Sequence, residues 1–229
     1  MTPAEALLQT ELFGDLEPDR IESLLPSVRR LEQARGSFVF SEGDRADSLY
    51  VMVEGQVKQY RLGRDGAEMI FALALPGDLF GQVGVFDPAG TRSATAEAMT
   101  PAVVLEIPRE PLLQFFTANP VVMRRMLEHL SALTRTVGQT LTGVAYDEIR
   151  SRVALALLRL ADDQGRKTGQ GLRIPIKLSQ ANIASMVGAS RENVNRALAA
   201  LLADGDLSHR EGFFMIHRRD TLEKLAATK

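Results

Sequence analysis

Apolar positions change their spacing repeatedly along this 229-residue chain, and each change marks a new kind of element. Over residues 1–35, Leu7, Leu8, Leu12, Leu16, Ile21, Leu24, Leu25 and Val28 recur at roughly helical spacing, and Pro18 stands where a helix can start after Glu17. From Gly36 to Pro108 short β-type runs take over: SFVF, SLYVMV, QVKQYRL, EMIFALAL, TAEA and AVVLEI. Turn signals separate them at Glu42-Gly43-Asp44, Glu54-Gly55, Arg64-Asp65-Gly66 and Pro76-Gly77-Asp78. Strands and turns at this regular spacing predict a small all-β barrel or roll. Helical spacing returns at Pro111, first in PLLQFFTAN and then in a long amphipathic helix from about Val121 to Val144.

The long helix carries a seven-residue repeat. Met123, Leu130, Val137 and Val144 form one seam, and Met126 and Leu133 a second one three residues later. A repeat of this kind predicts a parallel two-helix seam and hence a homodimer. The alternative is that the stripe packs on its own β-domain, and one helix can do both with different sides. Gly138 within it costs about 1 kcal/mol against alanine. Thr142–Tyr146 reads as a hinge, with Asp147 as N-cap of a further helix carrying Ile149, Val153, Leu155, Ala156, Leu157, Leu158 and Leu160. Asp162–Gly171 reads as a polar loop, and Leu172–Ile176 with Lys177 as strand-like.

Leu178–Ala203 reads as two short helices around a tight turn. Ser179 can cap the first, whose apolar face is Ile183, Ala184 and Val187. Gly188 suits a sharp turn that needs positive φ. Ser190 can cap the second, which buries Val194, Ala197, Leu198 and Leu201. This is a helix-turn-helix, whose second helix can lie in a DNA major groove. Its exposed face offers Arg191, Glu192, Asn193, Asn195 and Arg196. Arginine can pair with two acceptors of guanine, and glutamate can accept from the cytosine amino group. A helical hairpin with a solvated charged face is the bland alternative. After Asp204-Gly205-Asp206, Leu207–Arg210 and Phe213–His217 make a hairpin across Glu211-Gly212, a wing of the sort that often touches phosphates, and Arg218–Ala227 a last short helix.

Charge sharpens this picture. The net charge of −2 conceals 13 basic and 21 acidic residues before Arg150, and 14 basic and 8 acidic from Arg150 onward. The second part, at +6, suits a polyanion such as double-stranded DNA, whereas the first, at −8, does not. No apolar run reaches the roughly 18 residues that cross a bilayer, and no secretory signal is evident, so a cytoplasmic protein without a membrane partner is expected. The chain has no cysteine, which excludes disulfides, thiolate zinc sites, Cys-ligated iron–sulfur clusters and a Cys nucleophile. Gly36–Pro108 contains no histidine, against a metal-holding barrel enzyme, and no nucleotide-loop or nucleophile-elbow fingerprint stands in a suitable setting. No enzymatic activity is expected.

The β-rich part, GQVGVFDPAGTRSATAEA within it and VGASRENVNRAL together resemble the CRP/FNR family of bacterial transcription regulators, from about Leu12 to Ile216. The resemblance implies an α+β chain. It would have an N-terminal β-roll (double-stranded β-helix or jelly-roll-like) with flanking helices over 1–120, a long dimerisation helix and hinge over 121–146, and a C-terminal winged helix-turn-helix over 147–229. It implies a homodimeric, sequence-specific DNA-binding regulator with an effector pocket in each β-roll. Arg191, Glu192 and Arg196 match the family's base-reading pattern and imply a TGTGA-like half-site, while Ser179 and Ser190 match phosphate-contacting positions and Asn195 is a less usual neighbour. Activation through RNA polymerase and repression are both compatible with the family.

Gly81, Gln82, Val83, Gly84, Arg92 and Ser93 resemble the phosphate-binding cassette of cyclic-nucleotide sensors. Glycines let backbone N–H groups approach a phosphate, Arg92 supplies a forked charge and Ser93 a hydroxyl. The pattern departs from the family at two places. Gln82 replaces the usual glutamate, which accepts from the ribose 2′-hydroxyl, and Val137 and Gly138 stand where cAMP sensors carry two adenine-holding hydroxyl residues. Three readings stay open: an altered response to a cyclic nucleotide (cAMP or cGMP), a different anionic effector such as a cyclic dinucleotide, or activity without ligand. A cyclic-nucleotide module of a kinase or channel would leave the winged helix without a role. Haem would need an axial ligand, and His129 is the one histidine ahead of the DNA-binding part.

Overall fold

The computed structural model describes the backbone of residues 1–146 and 148–227, and side chains for all of these except 139–146. The chain divides into two compact units. The first is Met1–Arg61 with Phe71–Arg135, and the second takes in Leu62–Ile70 and the described residues from Thr136. The N-terminal antiparallel sheets, the long helix and the C-terminal helix-turn-helix are the α+β architecture that the sequence predicts.

The β-roll is two four-stranded antiparallel sheets. One has the order β1 (Arg29–Gln33), β8 (Ala102–Pro108), β3 (Ser48–Glu54), β6 (Leu79–Phe80). The other has the order β2 (Phe38–Phe40), β7 (Thr95–Ala98), β4 (Val57–Leu62), β5 (Glu68–Ala74). Strand β3 is buried on both faces, which is why SLYVMV is apolar without alternation. Its Tyr50 and Met52 join Phe40, Val57, Phe80, Ala96 and Val104 in one core. Its Leu49, Val51 and Val53 join the other, with Leu105 and Ile107 of β8. Helices cover that second face: α1 (Pro3–Leu8), α2 (Pro18–Glu22), α4 (Arg109–Ala118) and the start of α5 (Pro120–Tyr146). They contribute Leu7, Ile21, Leu112, Phe115, Phe116, Val122 and Met126, and the loop after α1 adds Leu12 and Phe13. Phe13 meets Phe115 edge-on at 5.9 Å, and Phe86 stacks on Phe116 at 5.9 Å.

Several expected elements change. Residues 1–35 are helical only in α1, α2 and a 3-10 turn at Leu25–Ser27, and Arg29–Gln33 is a strand. RRLEQ shows no alternation of apolar residues, and its partnership with the backbone of β8 decides its state. On α5, Met126 is buried in the cis core and Leu130 packs partly against it, so these two are not free for a seam. Met123 and Val137 are exposed, and so is Leu127, which the seven-residue reading missed. The backbone is helical through Thr142–Tyr146, the stretch read as a hinge from the sequence. Asp147, its expected N-cap, and the side chain of Val144 lie outside the described residues, and Glu148 holds the N-cap position of α6 (Ile149–Gln164).

In the second unit, α6 buries Val153, Ala154, Leu157 and Leu158, with Ile183 and Val187 of α7 (Gln180–Val187) and Val194, Leu198 and Leu201 of α8 (Arg191–Ala203) also buried. The expected polar loop Asp162–Gly171 is instead the end of α6 and the strand β9 (Arg166–Thr168), which pairs with β10 (Gly171–Arg173). β10 stops short of the strand-like run read to Lys177, because Pro175 has no N–H for a ladder. The sheet is completed by β11 (Leu207–Arg210) and β12 (Phe213–Ile216) in the order β11-β12-β10-β9. Glu211 and Gly212 both have positive φ, 54° and 88°, the geometry of a tight two-residue hairpin turn. The last helix, α9, is Arg219–Ala226.

Phe116 is 1% exposed at the centre of the helix-covered core. Phe116→Ala is expected to lower the stability of the β-roll by about 3–5 kcal/mol, read as a fall in the urea midpoint with the slope unchanged.

Candidate functional site

The cassette is built at the end of the β-roll where the aromatic core meets polar side chains. Phe40, Tyr50 and Phe80 stack on one another with centroids 5.2–6.1 Å apart. The Arg92 guanidinium lies over the rings of Phe40 and Tyr50, at 4.2 and 5.2 Å. Arg92 is 4% exposed, donating from Nη1 to the Gly81 carbonyl (2.9 Å) and from Nη2 to the Ser48 carbonyl (2.7 Å). Its Nε is buried without a hydrogen-bond partner among the described residues. Burial lowers the Arg92 pKa, with Tyr50 the largest opposing influence. Burial likewise raises the Tyr50 pKa, and the Tyr50 hydroxyl lies 3.4 Å from Glu106 Oε1, which also accepts from Ser48 Oγ at 2.9 Å. The sequence reading missed Ser48, Tyr50 and Glu106. Glu106 is the one polar break in the apolar strand AVVLEI, and that was the available signal.

The glycines of the cassette have separate reasons. Gly81 has φ 79° and precedes the short helix α3 (Gln82–Phe86), and a Cβ there would stand 2.7 Å from Arg92 Nη1. A Cβ on Gly84 would stand 2.6 Å from the Ala46 Cβ and 2.7 Å from the Thr91 carbonyl oxygen. Gln82 is 5% exposed, and its Nε2 lies 3.2 Å from His129 Nε2 on α5. Its Oε1 is buried without a partner among the described residues. An amide oxygen left in that state costs about 1–3 kcal/mol, so the site is polar and incomplete in hydrogen bonds. Val83 and Ser93 are exposed. Thus Gly81, Gln82 and Arg92 come together, with Gly84 holding α3 close, while Val83 and Ser93 face solvent. The donor set fits an anion beside a hydroxyl: guanidinium N–H groups remain for the first, and an amide oxygen for the second.

In the helix-turn-helix, Ser179 and Asn182 form a reciprocal cap, Ser179 Oγ accepting from Asn182 N (3.1 Å) and Asn182 Oδ1 from Ser179 N (2.9 Å). Gly188 is left-handed at φ 60°, and Arg152 Nη1 donates to the Val187 carbonyl at 2.7 Å, fixing the end of α7. Ser190 Oγ accepts from Asn193 N at 3.3 Å and starts α8. Arg191, Glu192 and Arg196 are exposed on α8, and Arg196 donates to Asn193 Oδ1. Asn195 is half-buried, and its Oδ1 has no partner among the described residues. Ser179 is therefore engaged in its cap, whereas Arg191 and Glu192 present free polar ends at the start of the helix.

Among the described residues no group of three His, Cys, Asp or Glu could hold a metal ion, and no helix is long and apolar enough to cross a membrane.

Residues 30–119 match the cyclic nucleotide-binding domain, and residues 151–225 the Crp-like helix-turn-helix domain. The chain is 34% identical over 206 residues to a CRP-like cAMP-activated global transcriptional regulator of Mycobacterium tuberculosis, covering 90% of this chain and 89% of that protein. Among solved structures, FixK2 from Bradyrhizobium japonicum superposes with a TM-score of 0.78 at 23% identity, over 88% of this chain and 98% of that one. The c-di-GMP responsive global regulator CLP of Xanthomonas campestris gives a TM-score of 0.72 at 25% identity, over 88% and 99%.

Burial lowers the His129 pKa from 6.5, and Glu11 opposes the shift. The unfolded chain then binds the proton more readily, so this residue's contribution to stability is present above about pH 6.5 and falls as pH drops from there toward the folded-state pKa. Urea unfolding at pH 7.5 and 5.5 is expected to show a larger loss for the wild type than for His129→Gln. Equal losses would remove His129 as the source.

Proposed function

Because the chain belongs to the CRP-like family of transcription regulators, we propose that it acts as a homodimer that reads a TGTGA-like palindrome, under the control of an effector held in each β-roll. The chain has a cyclic nucleotide-binding domain and a DNA-binding helix-turn-helix, and its relatives are regulators rather than enzymes. The proposed division is a sensing domain over 1–120, a dimerisation helix over 121–146 and a DNA-binding domain over 147–229.

The observation that carries the DNA reading is the exposed Arg191, Glu192 and Arg196 on a helix started by the Ser190 cap. The arginines suit guanines of the half-site, and Glu192 suits a cytosine amino group on the opposite strand. Ser190 and Ser179 are proposed to lie against phosphates, with Asn195 beside the base-reading row. Two such helices read a palindrome when their separation matches one duplex turn, about 34 Å.

Support for the dimer comes from α5. Met123, Leu127 and Val137 are 42%, 60% and 44% exposed, an apolar row that a single copy leaves in water. Met123 and Leu127 are four residues apart and Met123 and Val137 fourteen, two heptads, a spacing that suits a two-helix seam.

For the effector we propose an anion that carries a hydroxyl, held by Arg92, the Gly81–Gly84 backbone, Gln82 and Ser93. A cyclic nucleotide, cAMP or cGMP, is the first reading, in line with the M. tuberculosis relative's cAMP activation. A cyclic dinucleotide is the second, favoured by the absence of hydroxyl side chains at Val137 and Gly138 and by the c-di-GMP response of the X. campestris relative. An effector can shift the DNA-binding equilibrium only by binding one dimer state more tightly than the other.

Gel-shift titration on a TGTGA…TCACA palindrome tests the DNA reading. Arg191→Ala is expected to reduce discrimination at one guanine by about 1–3 kcal/mol. A uniform loss on every sequence would reassign it to the backbone. Leu127→Glu is expected to shift the sedimentation coefficient from dimer to monomer, and an unchanged dimer would place the seam elsewhere. Calorimetry with cAMP, cGMP and cyclic di-GMP decides among the effectors, and heat from none of them would favour regulation without ligand.

A further inference from the structure

The pair Gln82 and His129 is absorbed neither by the cassette's anion chemistry nor by the α5 seam. The contact joins α3, inside the effector cassette, to the long helix, with 3.2 Å between Gln82 Nε2 and His129 Nε2. In this arrangement the amide N–H donates and the ring nitrogen accepts, so His129 is neutral and carries its proton on Nδ1. Burial lowers the ring's pKa and so favours that neutral form. An amide presents its nitrogen and oxygen in divergent directions. With the nitrogen directed at α5, Oε1 is directed away from it, and this oxygen is the buried, unpartnered acceptor of the site. The residue is 5% exposed. A glutamate at this position would accept through either oxygen and would need no such orientation. A glutamine offers an acceptor or a donor according to how its amide is turned, and only a second group can fix the choice.

We propose that His129 is a positioning residue of the effector cassette: by accepting from Gln82 Nε2 it leaves Oε1 as the acceptor presented to the effector, so the site selects anions that carry a hydroxyl donor. This rests on the reading of Gly81–Ser93 as an effector site. The histidine touches no effector itself. It determines which face of the amide does, and it places that choice on the same helix that carries the proposed dimer seam.

The test compares cAMP with 2′-deoxy-cAMP by calorimetry on the full-length wild type, His129→Leu and His129→Gln. The wild type is expected to bind cAMP about tenfold more tightly than the deoxy form, the effect of one hydrogen bond. In His129→Leu the ratio is expected to fall to about one, because the amide is free to turn. His129→Gln, which can still accept, is expected to restore most of the preference. A second readout needs no ligand: 15N shifts of His129 report an Nδ1–H tautomer in the wild type, and Gln82→Leu moves it toward Nε2–H. If the wild type binds neither nucleotide, the cyclic-nucleotide reading fails and the inference fails with it. If the wild type prefers cAMP and His129→Leu keeps the full preference, the effector reading stands and the positioning role is overturned. A wild type that does not distinguish the two nucleotides overturns it as well.

Discussion

Burial of β3 and β8 on both faces is the constraint on which the β-roll depends. A strand with one wet face alternates, and its register can be read from that alternation. Here Leu49, Val51 and Val53 go to the helix-covered core, while Tyr50 and Met52 go between the sheets. One strand thus ties two cores together. A change at any of these positions is felt on both sides, since close-packed interiors transmit strain. The same alternation places Ser48 and Tyr50 at the rim of the inner core, beside Glu106 of β8. The polar end of the roll is a consequence of the apolar pattern that precedes it.

Arg92 follows from this arrangement. Its guanidinium is held by two backbone carbonyls and two aromatic faces, with no carboxylate among its hydrogen-bond partners. Carbonyl oxygens orient the charge without cancelling it. A guanidinium oriented in this way keeps N–H groups for an anion and cannot fold away onto the surface. The glycines close the arrangement from the other side, because a methyl group at Gly84 would collide with Ala46 and Thr91. The cassette therefore owes its shape to contacts within the chain itself, and a site shaped in advance would reduce the ordering cost of binding the proposed effector.

The legible parts of the sequence were those with strong local chemistry. The strands SLYVMV and AVVLEI, the caps Ser179 and Ser190, the turn at Gly188 and the buried face Val194, Ala197, Leu198 and Leu201 stand where their residues predict. Each is set by a few neighbours along the chain. The illegible parts are set by partners far away. RRLEQ becomes a strand because β8 offers it a ladder. Leu79–Phe80 is a strand of two residues, too short to carry a period. Met126 and Leu130 share the seam's spacing with Met123, and only the packed core shows which side each faces. In the cassette, Arg92 and the glycines were visible as a motif, but Gln82 and His129 are 47 residues apart and no spacing rule connects them.

That pair also gives the departure at Gln82 a different meaning. Considered alone, glutamine for glutamate subtracts a charge from the pocket and weakens an acceptor. Beside Arg92 the subtraction has an opposite electrostatic consequence, because a glutamate there would add to the negative charge that Asp47 and Glu106 already place near the guanidinium. On the proposed reading, recognition of the charge is thereby separated from recognition of the hydroxyl. In the proposed site the first would rest with Arg92 and the second with the Gln82 amide, oriented by its contact with His129. A family site that used a carboxylate for the hydroxyl would couple the two, since the same charge that accepts from the sugar also repels the phosphate. In this chain that repulsion is absent, and on the proposed reading the specificity comes from the direction of a single hydrogen bond. Direction is a property of the packed contact between α3 and α5, so the proposed selectivity would depend on the position of the long helix.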